Sequence, residues 1–408
     1  MEYQHSRVRE TWRTKPLALL AAVLAIGGAV AASAAYANAA PAQTEPILSY
    51  IKQTWTVLTR STKDLPKAAV DPKFKPEADG RWPVYIPASD HFHAVVNHLR
   101  AEIPPAGFKT IDLRRLPTGA LTVKQQGLLY LPYPYVVPGG RFNEMYGWDS
   151  FFIQVGLLRD GELQLAKDMA NNFLYEVRNY GKVLNANRTY YLTRSQPPFL
   201  TEMVLNVYGK THDKKWLEQA LPEVEKYDRF WTVKPHLTPE TGLSRYFDLG
   251  QGPAPESVSA ERNAKGQTQY ERVKQYFRTH KVSAYDVSQY YNRKTDRLTP
   301  LFYKGDRSMR ESGFDPSNRF GPFNTDIIHY DPVCLNSLLY RMEKQTAEIL
   351  RILGRDTEAA GWDAQAKQRA TRINRLMWDP KDGLYYDYDF VTRKRRHYPF
   401  LTTFYPLW

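Results

Sequence analysis

The chain has 408 residues, 42% of them hydrophobic, enough to bury a large core and more than one minimal domain needs. Its single cysteine, Cys334, excludes an internal disulfide and any Cys-rich metal site. The net charge of +13 comes from 56 lysines and arginines spread along the chain; the densest run, Arg393 to Arg396, reads as solvated surface, and no helix-turn-helix, zinc-finger or RNA-binding signature accompanies it.

The N-terminus reads as a targeting segment. Arg7, Arg9, Arg13 and Lys15 precede an apolar run from Leu17 to Val30, and small residues then lead to Ala37-Asn38-Ala39, an A-x-A cleavage pattern. Residues 1–39 are therefore expected to be a signal peptide, and the protein to be periplasmic or secreted; an uncleaved N-terminal anchor is the alternative. Residues 47–60 predict a helix presenting Ile47, Tyr50, Ile51, Trp55 and Leu58, and the Pro- and Lys-bearing stretch 61–90 predicts irregular chain. Apolar residues at helical spacing then predict one helix from Phe151 to Tyr180, a second over 199–208 and a third over 213–233. Residues 332–353 and 357–378 predict a helical hairpin around Gly354. Strand patterns such as Gly383 to Tyr388 are short. The fold class expected is all-α, built of serial helical hairpins.

Long loops between these helices hold the chemistry-bearing residues. They span 131–150, 183–200, 242–260 and 305–324, and each mixes Gly or Pro with Arg, an acid and aromatics. Gathered at one end of a helical barrel, they would line a polar pocket with aromatic walls. A neutral sugar needs such a pocket: fixed Arg, Asp, Asn and Gln partners for hydroxyls and flat rings for its apolar faces. Glycosidic hydrolysis further needs two carboxyl groups, one to protonate the leaving oxygen and one to activate water or attack. The loop acids are Glu144, Asp149, Glu256, Glu311 and Asp315. Gly313 and Pro316 argue against a continuous helix at Asp315, so it is expected to project from a loop, as a catalytic acid or as a turn residue. Asp149 is open between sugar binding and capping the next helix. No HExxH, P-loop or G-x-S-x-G pattern is present, so metal, phosphate-loop and serine-nucleophile chemistry have no sequence support.

The stretch Pro138-Gly139-Gly140-Arg141-Phe142-Asn143-Glu144-Met145-Tyr146-Gly147-Trp148-Asp149-Ser150-Phe151 resembles the first signature of the trehalases, glycoside hydrolase family 37. Arg194-Ser195-Gln196-Pro197-Pro198 and Glu311-Ser312-Gly313-Phe314-Asp315 resemble two further hallmarks, with Phe314 where the family usually has Trp, and Asp331-Pro332-Val333-Cys334-Leu335-Asn336 resembles the helix start that follows. The resemblance covers about residues 130–400. It implies an (α/α)6 barrel, or six-hairpin toroid, and inverting hydrolysis of α,α-trehalose to two glucose molecules. Asp315 is implied to be the general acid, and Arg141, Trp148, Asp149, Asn185, Arg194, Ser195, Gln196, Glu256 and Gly313 to contact substrate. No metal or organic cofactor is implied. The expected partner is trehalose, with no nucleic acid, a membrane contact only through the export signal, and a monomeric state. The resemblance divides the chain into the signal peptide, an N-terminal extension over 40–120 that packs on the barrel, and a catalytic domain over 121–408.

Two departures qualify these implications. The family's Arg-Pro-Glu element stands here as Ala254-Pro255-Glu256, so the substrate-holding Arg is missing unless a neighbour such as Arg245 replaces it. The family's catalytic base, a Glu, and its Gln-Trp-Asp-x-Pro signature are also missing, so the barrel is expected to be incomplete and the chain to be a fragment with little turnover. The alternatives are a same-fold exo-glycosidase for another α-glucoside, and a non-catalytic trehalose-binding remnant.

Overall fold

The computed structural model describes residues 45–258, 262–315 and 317–408. The expected signal peptide lies outside the described residues. The described residues divide into two units, one ending at Thr56 and the other spanning 57–408. Helix α1 (Glu45–Leu58) lies almost wholly in the first.

The second unit begins with a feature the sequence reading did not expect. Strand β1 (Trp82–Pro87) falls in the stretch read as irregular; helix α2 (Phe92–Glu102) and strand β2 (Ile111–Leu116) follow. β1 is the central strand of a parallel three-stranded sheet, pairing with β2 on one side and with β3 (Leu128–Leu129) on the other. Val84 lies opposite both Leu113 and Leu128. Pro83 and Pro87 hide this strand in the sequence, since proline usually argues against a central strand. The sheet spans residue 120, so hydrogen-bonded pairing joins both sides of that position.

The remainder is mainly helical, with short two-residue strand pairs between helices. α3 (Asp149–Asp160) and α4 (Leu163–Tyr180) replace the single helix expected over 151–180. The break falls at Gly161, whose φ of +87° is left-handed and costs a glycine little. α5 (Leu200–Thr211) and α6 (Lys214–Thr232) follow, the second started by Asp213, whose carboxylate accepts the Trp216 N–H at 3.0 Å. α7 (Gln269–Thr279) opens on a capping box between Thr268 and Glu271. α8 (Pro300–Glu311) opens on Thr299 with proline at its first position. Then α9 (Val333–Ile352) and α10 (Asp356–Met377) form the expected hairpin around Gly354.

Neighbouring helices pack in sequence: α3 on α4, α4 on α5 and α6, and α9 on α5, α6 and α10. α9 is consequently buried on most faces, with Leu335, Leu339, Ala347, Ile349 and Leu350 fully covered. Cys334 is also buried, which fits a structural thiol. No helix among the described residues is long and apolar enough to cross a membrane. The loops that carry the polar signatures leave this scaffold before α3, between α4 and α5, after α6 and after α8.

Candidate active site

The site is built around Arg194. The loop that carries it, between α4 and α5, is buried almost throughout. Asn185 N–H donates to the Arg194 carbonyl at 3.0 Å, and Gly147 N–H donates to the Asn185 carbonyl at 3.0 Å. Trp148 N–H donates to Gln196 Oε1 at 3.0 Å. The two signature loops are thus laced together by backbone and amide groups. Arg194 itself is 1% exposed; its Nε donates to Asp248 Oδ2 at 3.0 Å and its Nη2 to Glu256 Oε1 at 2.5 Å. Two carboxylates compensate one buried guanidinium, whose planar fork can serve both at once.

Among the described residues, the buried Glu256 Oε2 has no hydrogen-bond partner. Burial would raise the Glu256 carboxyl, but Arg194 and then Arg310 outweigh it and hold it below the usual range. Glu256 therefore stays ionised, an acceptor only.

Asp315 has the opposite balance. It stands in the loop after α8, where the helix ends at Glu311 and Gly313 turns the chain at φ +72°. A Cβ on Gly313 would come within 2.9 Å of the Trp148 indole, so this turn needs glycine for both its conformation and its neighbour. The Asp315 side chain is reachable by solvent, yet protein surrounds it closely enough that desolvation dominates. Its carboxyl is raised above the usual range, with Arg310 and Arg194 pulling weakly the other way. A raised, accessible carboxyl is what a proton donor requires. Trp148 and Phe314 meet edge to face at 5.3 Å beside it.

The other expected residues divide. Asp149 is the first residue of α3 and the flanking position is Trp148, so the capping alternative does not hold; burial raises its carboxyl, partly offset by its own backbone N–H. Asn185 Nδ2 reaches the Arg310 carbonyl at 3.4 Å, joining the α4–α5 loop to the end of α8. Ser195 turns its hydroxyl away into the core, where it donates to the Val183 carbonyl at 2.6 Å and meets the Tyr227 hydroxyl at 2.9 Å. Arg141 is exposed and lies over the Phe142 ring at 4.7 Å. Ring contacts run from there through Tyr146 and Tyr191 to Arg194.

Two loop acids are occupied elsewhere. Glu144 accepts from the fully buried Arg188, which also donates to the carbonyls of Ala68, Ala69 and Val70. Glu311 accepts backbone N–H groups from Ser195 and Phe247. Arg245 does not replace the missing family Arg either: it donates to the carbonyls of Pro235 and Ile328 and lies over Phe247. Besides Arg194, the guanidinium whose charge acts on both Glu256 and Asp315 is Arg310, held by Asp306 and Gln269. A relay joins it to the altered element: Ala254 N–H donates to the Tyr270 hydroxyl at 3.0 Å, which donates to Asp306 Oδ2 at 2.9 Å.

The sequence reading missed Asp248, Arg310, Asp306 and Tyr270. Asp306 and Arg310 are four apart on α8, so recognising that helix would have exposed the pair. A cavity of about 630 Å³ between α9, α10 and residues 405–408 is lined by none of these groups. Among the described residues, Asp379, Asp382 and His397 bring possible metal-ligating atoms within 4.8 Å of one another. Asp379 there already accepts two backbone N–H groups, and Asp382 accepts the Tyr386 hydroxyl.

With this geometry in hand, comparisons with known proteins are informative. The sequence model of the trehalase family matches residues 34–408. Cytosolic neutral trehalase of Neurospora crassa is 38% identical over 301 residues, which are 67% of this chain and 39% of the relative. Cytosolic neutral trehalase of Saccharomyces cerevisiae is 39% identical over 68% of this chain and 38% of its own length. The chain therefore spans about two-fifths of these curated relatives. The solved structure of neutral trehalase Nth1 from Saccharomyces cerevisiae superposes with a TM-score of 0.73 at 31% identity, covering 89% of this chain and 72% of that one. This match bears out the expected (α/α)6-barrel fold class. The relatives overturn the expected location. They are cytosolic proteins by name, so the signal peptide, the periplasmic or secreted placement and the membrane contact through an export signal are withdrawn. A basic flank, a short Ala-rich run and an A-x-A triplet are compositional features that an N-terminal extension can carry without export.

Proposed function

The chain belongs to the trehalase family, and from that premise we propose that it carries the acid half of a site hydrolysing α,α-trehalose to two glucose molecules with inversion. The observation that carries this reading is the contrast between two acids that feel the charges of Arg194 and Arg310: an accessible Asp315 whose carboxyl desolvation raises, and a buried Glu256 paired with Arg194 and held below the usual range. Asp315 delivers its proton to the glycosidic oxygen as the C–O bond breaks, and the first glucose leaves as an alcohol. Water enters from the opposite face of the ring and gives up a proton to a second carboxylate, about 6.5–9.5 Å from the first in inverting enzymes. We assign that base to no residue of this chain.

Substrate hydroxyls are recognised by Glu256 as acceptor and by Arg194, Arg310, Asn185 and Gln196 as donors. Trp148 offers a ring for a sugar face, with Gly313 leaving room beside it. Asp149 and Arg141 contribute from the mouth of the site. Ser195 acts through its backbone, since its hydroxyl is engaged in the core. The substrate is a small molecule, and the reading requires no cofactor and no nucleic acid.

The presence of Ala254 gives a specific reason to test other α-glucosides. Any glucose that the purified protein releases when offered trehalose, maltose, sucrose and nigerose is expected to come from trehalose only. Release from another disaccharide at a comparable rate would replace the substrate assignment. Thermal stabilisation by trehalose without glucose would favour a binding role.

A further inference from the structure

Glu311 closes α8 with its side chain fully buried, and its only ion-pair partner among the described residues is a histidine. Oε1 accepts the Ser195 N–H at 3.0 Å. Oε2 accepts the Phe247 N–H at 2.6 Å and faces His236 Nε2 at 3.3 Å. A carboxylate taken out of water is tolerated only when its oxygens are well supplied with donors, and this one is. The donors come from segments that carry site groups. Ser195 sits between Arg194 and Gln196. Phe247 adjoins Asp248, the second carboxylate on Arg194. Glu311 itself lies four residues before Asp315.

We propose that Glu311 is a positioning residue that holds the Arg194–Gln196 loop and the Phe247–Asp248 loop in register with Asp315, without touching substrate. The proposal rests on the trehalase reading for its functional consequence and on the hydrogen bonds alone for the clamp. One carboxylate serving two backbone donors on different loops fixes their separation, and pre-organised groups must be held within a fraction of an ångström for efficient chemistry.

Glu311→Gln tests this in the full-length protein. The volume is unchanged, but one oxygen becomes an NH2, so one backbone donor loses its acceptor whichever way the amide turns. Amide exchange at Ser195 or Phe247 should quicken by tenfold or more. In the folded variant kcat should fall at least tenfold and KM should rise, with circular dichroism unchanged. Unchanged exchange at both amides, or kcat and KM within twofold of the parent, would overturn the proposal. A residue that only filled space would lower Tm and leave the kinetics of the folded fraction alone. If Glu311→Gln does not fold, His236→Gln leaves both backbone bonds and perturbs Oε2 only; faster Phe247 exchange with a lowered kcat is expected, and faster exchange with the parent kcat counts against it. If the parent neither binds trehalose nor releases glucose from it, the trehalase reading fails by itself, and exchange at Ser195 and Phe247 still decides whether Glu311 is the clamp.

Discussion

The charge of Arg310 acts on both Glu256 and Asp315. It helps to hold Glu256 below the usual range and pulls Asp315 down, against the desolvation that raises it. Arg310→Gln removes that pull, so the Asp315 carboxyl rises further. A general acid must be protonated, and activity falls as pH climbs through its pKa. The descending alkaline limb of the kcat/KM profile should therefore move to higher pH in the variant, and a shift to lower pH would contradict the assignment of Asp315. At this scale the sequence was informative where glycine and proline punctuate the chain. Gly313 and Pro316 marked Asp315 as a loop residue, and the loop is where it lies. The sequence was silent where burial decides a role. Glu144 and Glu311 look like Asp315 on the page, but their oxygens are consumed by Arg188 and by backbone N–H groups. Arg245 and Arg310 are likewise indistinguishable until their partners are known.

Among the elements, α8 matters most for the site, since it delivers Arg310, Glu311 and the turn to Asp315. Its start is set by Thr299, whose hydroxyl accepts the Phe302 N–H at 3.2 Å. Thr299→Ala should lower stability by about 1 kcal/mol in chemical denaturation, the usual cost of a lost cap. It should leave kcat/KM unchanged, because the cap lies at the far end of the helix; a large kinetic loss would mean that the helix ends are coupled. The helices of high apolar periodicity were legible, as α9 and α10 show. α8 was not, because its buried face carries Asp306, Arg307, Ser308 and Glu311 as well as Phe302 and Met309. Gly161 split one expected helix into two by the local rule that a left-handed glycine ends a helix, whereas Pro83 and Pro87 masked β1 by a local rule that sheet pairing overrode.

Over the whole molecule, buried carboxyls make stability depend on pH. Burial raises Asp331 to about 7, with the hydroxyls of Thr238 and Thr241 pulling back; burial and then the Glu343 charge raise Asp228 to about 6. Unfolded aspartates titrate near 3.9. Between roughly pH 4 and 7 the folded state therefore holds more protons than the unfolded one, and stability falls as pH rises through that window. Asp331→Asn keeps partners for both threonine hydroxyls and removes one titration. Its loss of Tm between pH 5 and pH 8 in calorimetry should be smaller than the parent's, by an amount reflecting about 1.4 kcal/mol per unit of raised pKa. An equal loss would show that Asp331 is ionised throughout. At this scale the helical-hairpin fold class was legible from periodicity, while the parallel sheet near the start of the second unit was not.

The central claim is that Asp315 supplies the proton in a trehalose site whose binding groups are otherwise separate from it. Its most direct test is a pair of measurements on Asp315→Asn: trehalose affinity by calorimetry and glucose release by a coupled assay. The account predicts a trehalose Kd within about threefold of the parent and a kcat lowered by about 10²–10⁴, the usual worth of a general acid. Retention of the parent kcat by folded Asp315→Asn would contradict it.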